Sequence, residues 1–257
     1  FMFAVYSIML AGAGRIIGQW LPVPYRPAVV LMGLSCTVIL FFGIKGVAAV
    51  SSALTPLLAA GIIFIGIYVV VTKDTTVFSI LDTAEAVTDN WFFSSLLYVS
   101  YNSILSTVVL CGLLPYIKTK KTATSGAVIG GMSLCAVALM LNAVIVFAYP
   151  ESMALDIPMM GILGNFGILP NLLYSFILWL AMVLSAVTAG YGFLGRVENR
   201  INVNRRIAAP FMFILALPLS ELGFSKLIAL LYPVFGYAGM FMVFAILLTG
   251  LRDAVRK

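Results

Sequence analysis

Ser100, Tyr101, Asn102 and Ser103 follow one another inside the apolar run of residues 91–117, with Ser106 and Thr107 just beyond. A row of uncharged polar groups can hold a small polar molecule. Asn102 both donates and accepts, and Tyr101 adds an aromatic wall with a polar tip. These residues are mediocre helix formers whose side chains can bond local backbone, so the sequence predicts an unwound stretch near the middle of the run. The plainer alternative is that the hydroxyls bond back to i−4 carbonyls or glue helices together. Ser185 and Thr188, in LSAVTAGYG, are i, i+3 and share one helix face. Their two oxygens can contribute to a sodium site, because hard cations take oxygen ligands, or can serve helix packing. Tyr6 is a candidate cavity wall and Asn142 candidate interhelical glue. Gly126 and Gly130 form a small-xxx-small packing pattern.

The elements that must position these residues are set by composition. Hydrophobic residues make up 63% of the chain and charged residues 9%, with a mean hydropathy of +1.14. A soluble domain carries about 25% charged residues. The chain is expected to be all-α, a polytopic membrane protein, and its continuously apolar runs argue against a β-barrel. Histidine is absent, which excludes histidine-based metal or acid–base chemistry within the chain. No nucleophile–base pair or set of metal ligands lies at depth, so no enzyme activity is expected. Cys36, Cys111 and Cys135 lack metal-ligand spacing and are expected to be small core residues.

Eight spans can be drawn, at roughly 1–14, 27–43, 47–72, 91–117, 122–149, 171–195, 207–222 and 227–251. Eleven basic residues then fall on the side of Phe1: Lys45; Lys118, Lys120 and Lys121; Arg196, Arg200, Arg205 and Arg206; and Arg252, Arg256 and Lys257. Only four, Arg15, Arg26, Lys73 and Lys226, fall opposite. The positive-inside rule makes the richer side cytoplasmic, with both ends of the chain there and the cell membrane as location. The formal charge of +6 is thus read as membrane topology, and no nucleic-acid partner is expected. Residues 73–90 are expected to form an amphipathic helix on the outer surface or a solvated connector. Residues 150–170 suit an outer loop that dips back into the protein or, equally, a solvated connector. No acidic or basic residue lies near the centre of a span, the nearest being Glu221 at the outer end of the seventh. A carboxylate proton relay therefore has no visible member, which leans toward sodium coupling or a proton site in the helices missing upstream.

The chain also echoes itself. AGAGR ends span one and AGYGFLGR ends span six, while ALTPLLAAG in span three is echoed by LLYPVFGYAG in span eight. Both echoes join spans five apart, and an odd repeat number forces inverted topology. Spans four to eight then form the second repeat, residues 91–251, and residues 1–72 hold the last three helices of the first. All belong to a single transmembrane domain, 1–257. The opening residue Phe1 and the short first span suggest a chain that begins inside or at the edge of a span, with two helices missing upstream.

On the stretches FMFAVYSIMLAGAG, GIKGVAAVSSALTPLL and NWFFSSLLYVSYNSI, the chain resembles the amino acid–polyamine–organocation superfamily with its LeuT-type 5+5 fold. More narrowly it resembles the YkvI-type bacterial membrane proteins. The resemblance implies helices three to ten of ten, and a central site between the broken first and sixth helices, faced by the third and eighth. It carries Tyr6, Ser100, Tyr101, Asn102 and Ser103 over as solute-binding, and Ser185 and Thr188 as sodium ligands. No organic cofactor is implied. The expected function is secondary transport of a small polar or amino-acid-like solute by alternating access. The alternative is a membrane-embedded sensor, like a germinant-receptor subunit, that binds without transporting. The departure from the pattern is the absent first broken helix, without which the chain alone is not expected to transport. The solute and the oligomeric state are not legible.

Overall fold

The computed structural model describes residues 1–20, 23–72, 90–147 and 157–255. Among them are nine α-helices: α1 (Met2–Trp20), α2 (Tyr25–Phe41), α3 (Gly43–Thr72), α4 (Trp91–Leu113), α5 (Lys120–Phe147), α6 (Pro158–Gly164), α7 (Ile168–Ile201), α8 (Arg205–Ser220) and α9 (Phe224–Val255). Eight of these coincide with the apolar runs of the sequence. Five, α3, α4, α5, α7 and α9, are long and apolar enough to cross a membrane. The others are shorter, and α8 carries Pro210 and Pro218 within its 16 residues.

The helix ends have local causes. The Asn90 side chain accepts from the backbone N–H groups of Phe92 and Phe93, capping α4. α7 continues six residues past the expected end at 195, because Arg and Glu are good helix formers, and stops at Asn202 in the left-handed region. Asn204 then accepts from the Arg206 N–H at 2.9 Å and starts α8. Between α2 and α3 stands only Phe42. Gly43, at φ +61°, supplies the turn that an L side chain would resist.

α7 is the centre of the core. It packs against α1, α3, α2 and α8, while α1 also meets α2, α8 and α9, α2 meets α8, α3 meets α5, and α4 lies along α9. Small residues permit this closeness. A Cβ at Gly190 of α7 would lie 2.9 Å from Leu40 of α2 and 3.2 Å from Met212 of α8. α6 buries Met159, Met160, Ile162 and Leu163 in the same core, so the described part of the long connection between α5 and α7 does fold back into the protein. Its residues 150–156, and the connector residues 73–89, lie outside the described residues.

Side-chain contacts sort the connections into two ends. The Tyr25 hydroxyl donates to the Ser220 carbonyl at 2.7 Å, and Arg26 pairs with Glu221 at 2.9 Å, bringing the start of α2 to the end of α8. At the other end, Gly43 lies against the guanidinium of Arg205. The α2–α3 and α7–α8 connections, with Lys45, Arg196, Arg200, Arg205 and Arg206, therefore share one basic end. Arg205 also grips Glu198 through two hydrogen bonds, of 2.7 and 2.5 Å, and lies 5.1 Å from the Tyr191 ring centroid. This forked pair is mostly shielded from solvent. Glu198→Gln removes its charge, and the expected cost is about 2 kcal/mol. A melting curve in detergent should fall by roughly 5 °C, whereas the exposed Arg206→Gln should leave it unchanged.

Three expectations need correction. Only Cys36 is buried; Cys111 and Cys135 are exposed on the outer faces of α4 and α5, positions that composition alone does not distinguish. Gly126 and Gly130 pack against nothing among the described residues, since a Cβ at either would meet no atom within 4 Å. Asn142 is exposed and joins no other helix among the described residues, because α5 touches little besides α3.

Candidate functional site

The polar row of α4 is helical, not unwound. α4 runs unbroken from Trp91 to Leu113, and the side chains explain why. Ser100 donates to the Leu96 carbonyl at 2.6 Å, Asn102 to Tyr98 at 2.8 Å, Ser103 to Val99 at 2.7 Å, Ser106 to Asn102 at 3.0 Å and Thr107 to Ser103 at 2.8 Å. Each hydroxyl places its proton on its own helix, as Asn102 does one of its two amide N–H groups, so nothing forces the backbone open. The hydroxyls have spent their donors but keep lone pairs, and Asn102 keeps its carbonyl oxygen and a second N–H. The row is rich in acceptors.

α9 holds this row in place. Gly236 faces Leu97, where a Cβ would come within 3.0 Å of its Cδ2, and Gly239 faces the backbone carbonyl of Ser100. Ser100 is fully buried as a result. Tyr101 packs its ring on Tyr232 of α9 with centroids 4.5 Å apart, and Tyr98 meets it edge-on at 5.4 Å. Asn102 and Ser103 are half-buried. Three tyrosines and Asn102 thus gather on one flank of the α4–α9 pair. Phenol rings and acceptor oxygens together suit a group with N–H donors or positive charge.

Ser185 and Thr188 lie half-buried on α7. Unlike the α4 hydroxyls, theirs form no hydrogen bond among the described residues. Helical spacing places them on a stripe with Gly192, where Val108 of α4 and Met2 of α1 close in. Two uncommitted oxygens on one face fit a monovalent cation as partial ligands, the rest having to come from other elements. Ser51, half-buried, and Thr55, exposed, on α3 also form no side-chain hydrogen bond among the described residues, and they were missed in the sequence. Gly61 of α3 faces Ile177 of α7. Counting about 1.5 Å per residue from that contact puts Thr55 level with Ser185, and Ser51 level with Thr188, within ~3 Å of depth. Only the i, i+4 spacing of Ser51 and Thr55 was available in the sequence as a signal.

Tyr6 stands elsewhere. It is fully buried where α1, α2 and α7 meet, with its ring 3.4 Å from where a Gly190 Cβ would be. Its hydroxyl is turned toward Thr37 without reaching a hydrogen bond, and Thr37 itself donates to the Gly33 carbonyl at 2.7 Å. The structure brings Tyr6 to α7 but not to the polar row of α4.

The comparisons with known proteins agree with this architecture at a coarse level. The chain is 28% identical over 251 residues to the uncharacterized membrane protein YkvI of Bacillus subtilis (strain 168), covering 96% of this chain and 70% of that one. It is 23% identical over 248 residues to the uncharacterized protein YyaD of the same organism, covering 96% and 72%. It is a helical membrane protein. No family model and no solved structure matches. The homology therefore reaches membrane residence, while the chemistry rests on the residues above.

Proposed function

We propose that the protein is a secondary transporter of a small, donor-rich polar solute, amino-acid-like or an amine. It works by alternating access in a LeuT-type 5+5 arrangement of the amino acid–polyamine–organocation superfamily, with eight membrane-crossing helices in this chain. The observation that carries the reading is the symmetry of the packing. If α1, α2 and α3 correspond to α7, α8 and α9, then α1–α7 and α2–α8 are self-paired, and α1–α8 exchanges with α2–α7. All four pairs are in contact, as is each of α1–α2 and α7–α8. A two-fold internal repeat, inverted in this reading, accounts for these contacts, though α2–α3 pack together without an α8–α9 contact of the same extent. The acceptor array on α4 supplies the solute class, and Ser185 and Thr188 are the residues that would hold sodium. The basic end with Lys45 and Arg205 is cytoplasmic in this reading.

One observation favours a second reading. α4 is unbroken, so the backbone groups that a broken helix would offer to a travelling solute are not freed. A sensor that binds the solute and does not move it fits an intact helix equally well.

The test is thermal stability of the full-length protein in detergent, screened with amino acids and amines in sodium or potassium. A ligand at 100 times its dissociation constant adds about 2.7 kcal/mol, a readable shift. Asn102→Ala, whose back-bond is worth well under 2 kcal/mol, should leave the unliganded melting point nearly unchanged and weaken the ligand shift at least tenfold in concentration. Ser185→Ala with Thr188→Val should remove any sodium dependence. Uptake of the same ligand into proteoliposomes then separates transporter from sensor. No shift with any solute, or a shift indifferent to Asn102, ends the reading.

A further inference from the structure

We infer that the elbow between α2 and α3 is a specific binding site for an anionic phospholipid. A groove of about 390 Å³ lies there, walled by Val38, Ile39 and Phe42 of the α2 end and by Ala49 and Val50 of α3. Its size falls in the about 300–1,000 Å³ range of ligand pockets. Its walls are apolar, which suits an acyl chain. Gly46 forms part of the floor, where a Cβ would lie 2.7 Å from the Ile39 carbonyl oxygen and 2.8 Å from Phe42 Cβ. The tight turn at Gly43 and the bare backbone at Gly46 are what let the two helices leave a groove between them.

The rim decides the occupant. Lys45 lines the groove, is exposed, and has no ion-pair partner among the described residues. The neighbouring cation, Arg205, is by contrast held by Glu198. An uncompensated ammonium at the mouth of an apolar groove, on the basic end of a membrane protein, complements a phosphate whose acyl chain enters the groove. A zwitterionic lipid would bring its own positive charge to the same lysine and gain less. This site lies on the outer side of the α2–α3 corner and is independent of the proposed solute site.

Native mass spectrometry of the full-length protein, titrated with phosphatidylglycerol or phosphatidylcholine of the same chains, tests it. The expected result is one saturable phosphatidylglycerol per protein and weaker phosphatidylcholine binding. Lys45→Gln should lower phosphatidylglycerol affinity about fivefold, the effect of one lysine at an anionic surface, and Lys45→Arg should retain it. Ala49→Phe, which fills the groove from an exposed position, should abolish the saturable adduct. Equal binding of both lipids, unchanged binding by Lys45→Gln, or no saturable adduct would each overturn the proposal. Competition by glycerol 3-phosphate would also overturn it, because a free anion would then suffice.

Discussion

Gly239→Val is expected to separate α4 from α9 and to lower the melting point of the protein more than any other single glycine substitution on α9. A Cβ at this position would press on the carbonyl oxygen and carbon of Ser100 and stand 3.1 Å from the Tyr101 nitrogen. These are backbone atoms inside a hydrogen-bonded helix and cannot rotate away as a side chain would. Relief requires the whole of α4 to move, which also pulls Tyr101 from Tyr232. Overpacking of this kind costs about 1–3 kcal/mol, and backbone contact puts this case at the upper end or beyond. Gly250, also on α9, has open space around it, so Gly250→Val should fall within about 0.5 kcal/mol of wild type. Fluorescence-detected size exclusion after a heating series reads both variants in one experiment. Equal melting of the two would mean that α4 and α9 are not held at the distance described.

Tyr6 yields the second large effect, with a contrast built in. Tyr6→Ala should destabilise by about 3–5 kcal/mol, since the ring is fully enclosed between three helices and its removal leaves a cavity. Tyr6→Phe should be neutral or mildly stabilising, because it removes a buried hydroxyl that has no hydrogen-bond partner among the described residues and so carries an uncompensated desolvation cost. The pair of variants also tests function. If Tyr6→Phe keeps its melting point but loses the ligand-induced shift, the hydroxyl contacts solute in some state of the transport cycle. If it keeps both, Tyr6 belongs to the packing of α1, α2 and α7 alone.

Much of the helical framework was legible in the sequence, because long apolar runs have few alternatives in a bilayer. The eight runs became eight helices, and the end of α7 moved only because RVENRI is both charged and helix-forming. Local chemistry was harder to read. Residues 100–103 look like a helix breaker when each side chain is judged by propensity, but the same hydroxyls close onto i−4 carbonyls and keep the helix intact. Propensity and back-bonding use the same atoms, and only geometry decides between them. Long-range partners were the least legible. Nothing in the order of residues says that Glu198 is the acid for Arg205, or that Gly239 rather than Gly250 carries a neighbouring helix. The silence of the Ser51, Thr55, Ser185 and Thr188 hydroxyls was equally invisible, since a serine that bonds its own helix and one that does not are the same letter.

The one-residue join between α2 and α3 has a consequence for biosynthesis. A 17-residue helix spans only about 26 Å at 1.5 Å per residue, short of a hydrocarbon layer of ~30 Å. It is a weak candidate to leave the translocation machinery alone. With Phe42 as its whole connection to the 30-residue α3, it cannot wait in water while α3 partitions into lipid. In the proposed arrangement, where both helices cross the bilayer, so short a join obliges α2 and α3 to insert as one unit, with the longer helix drawing the shorter one in.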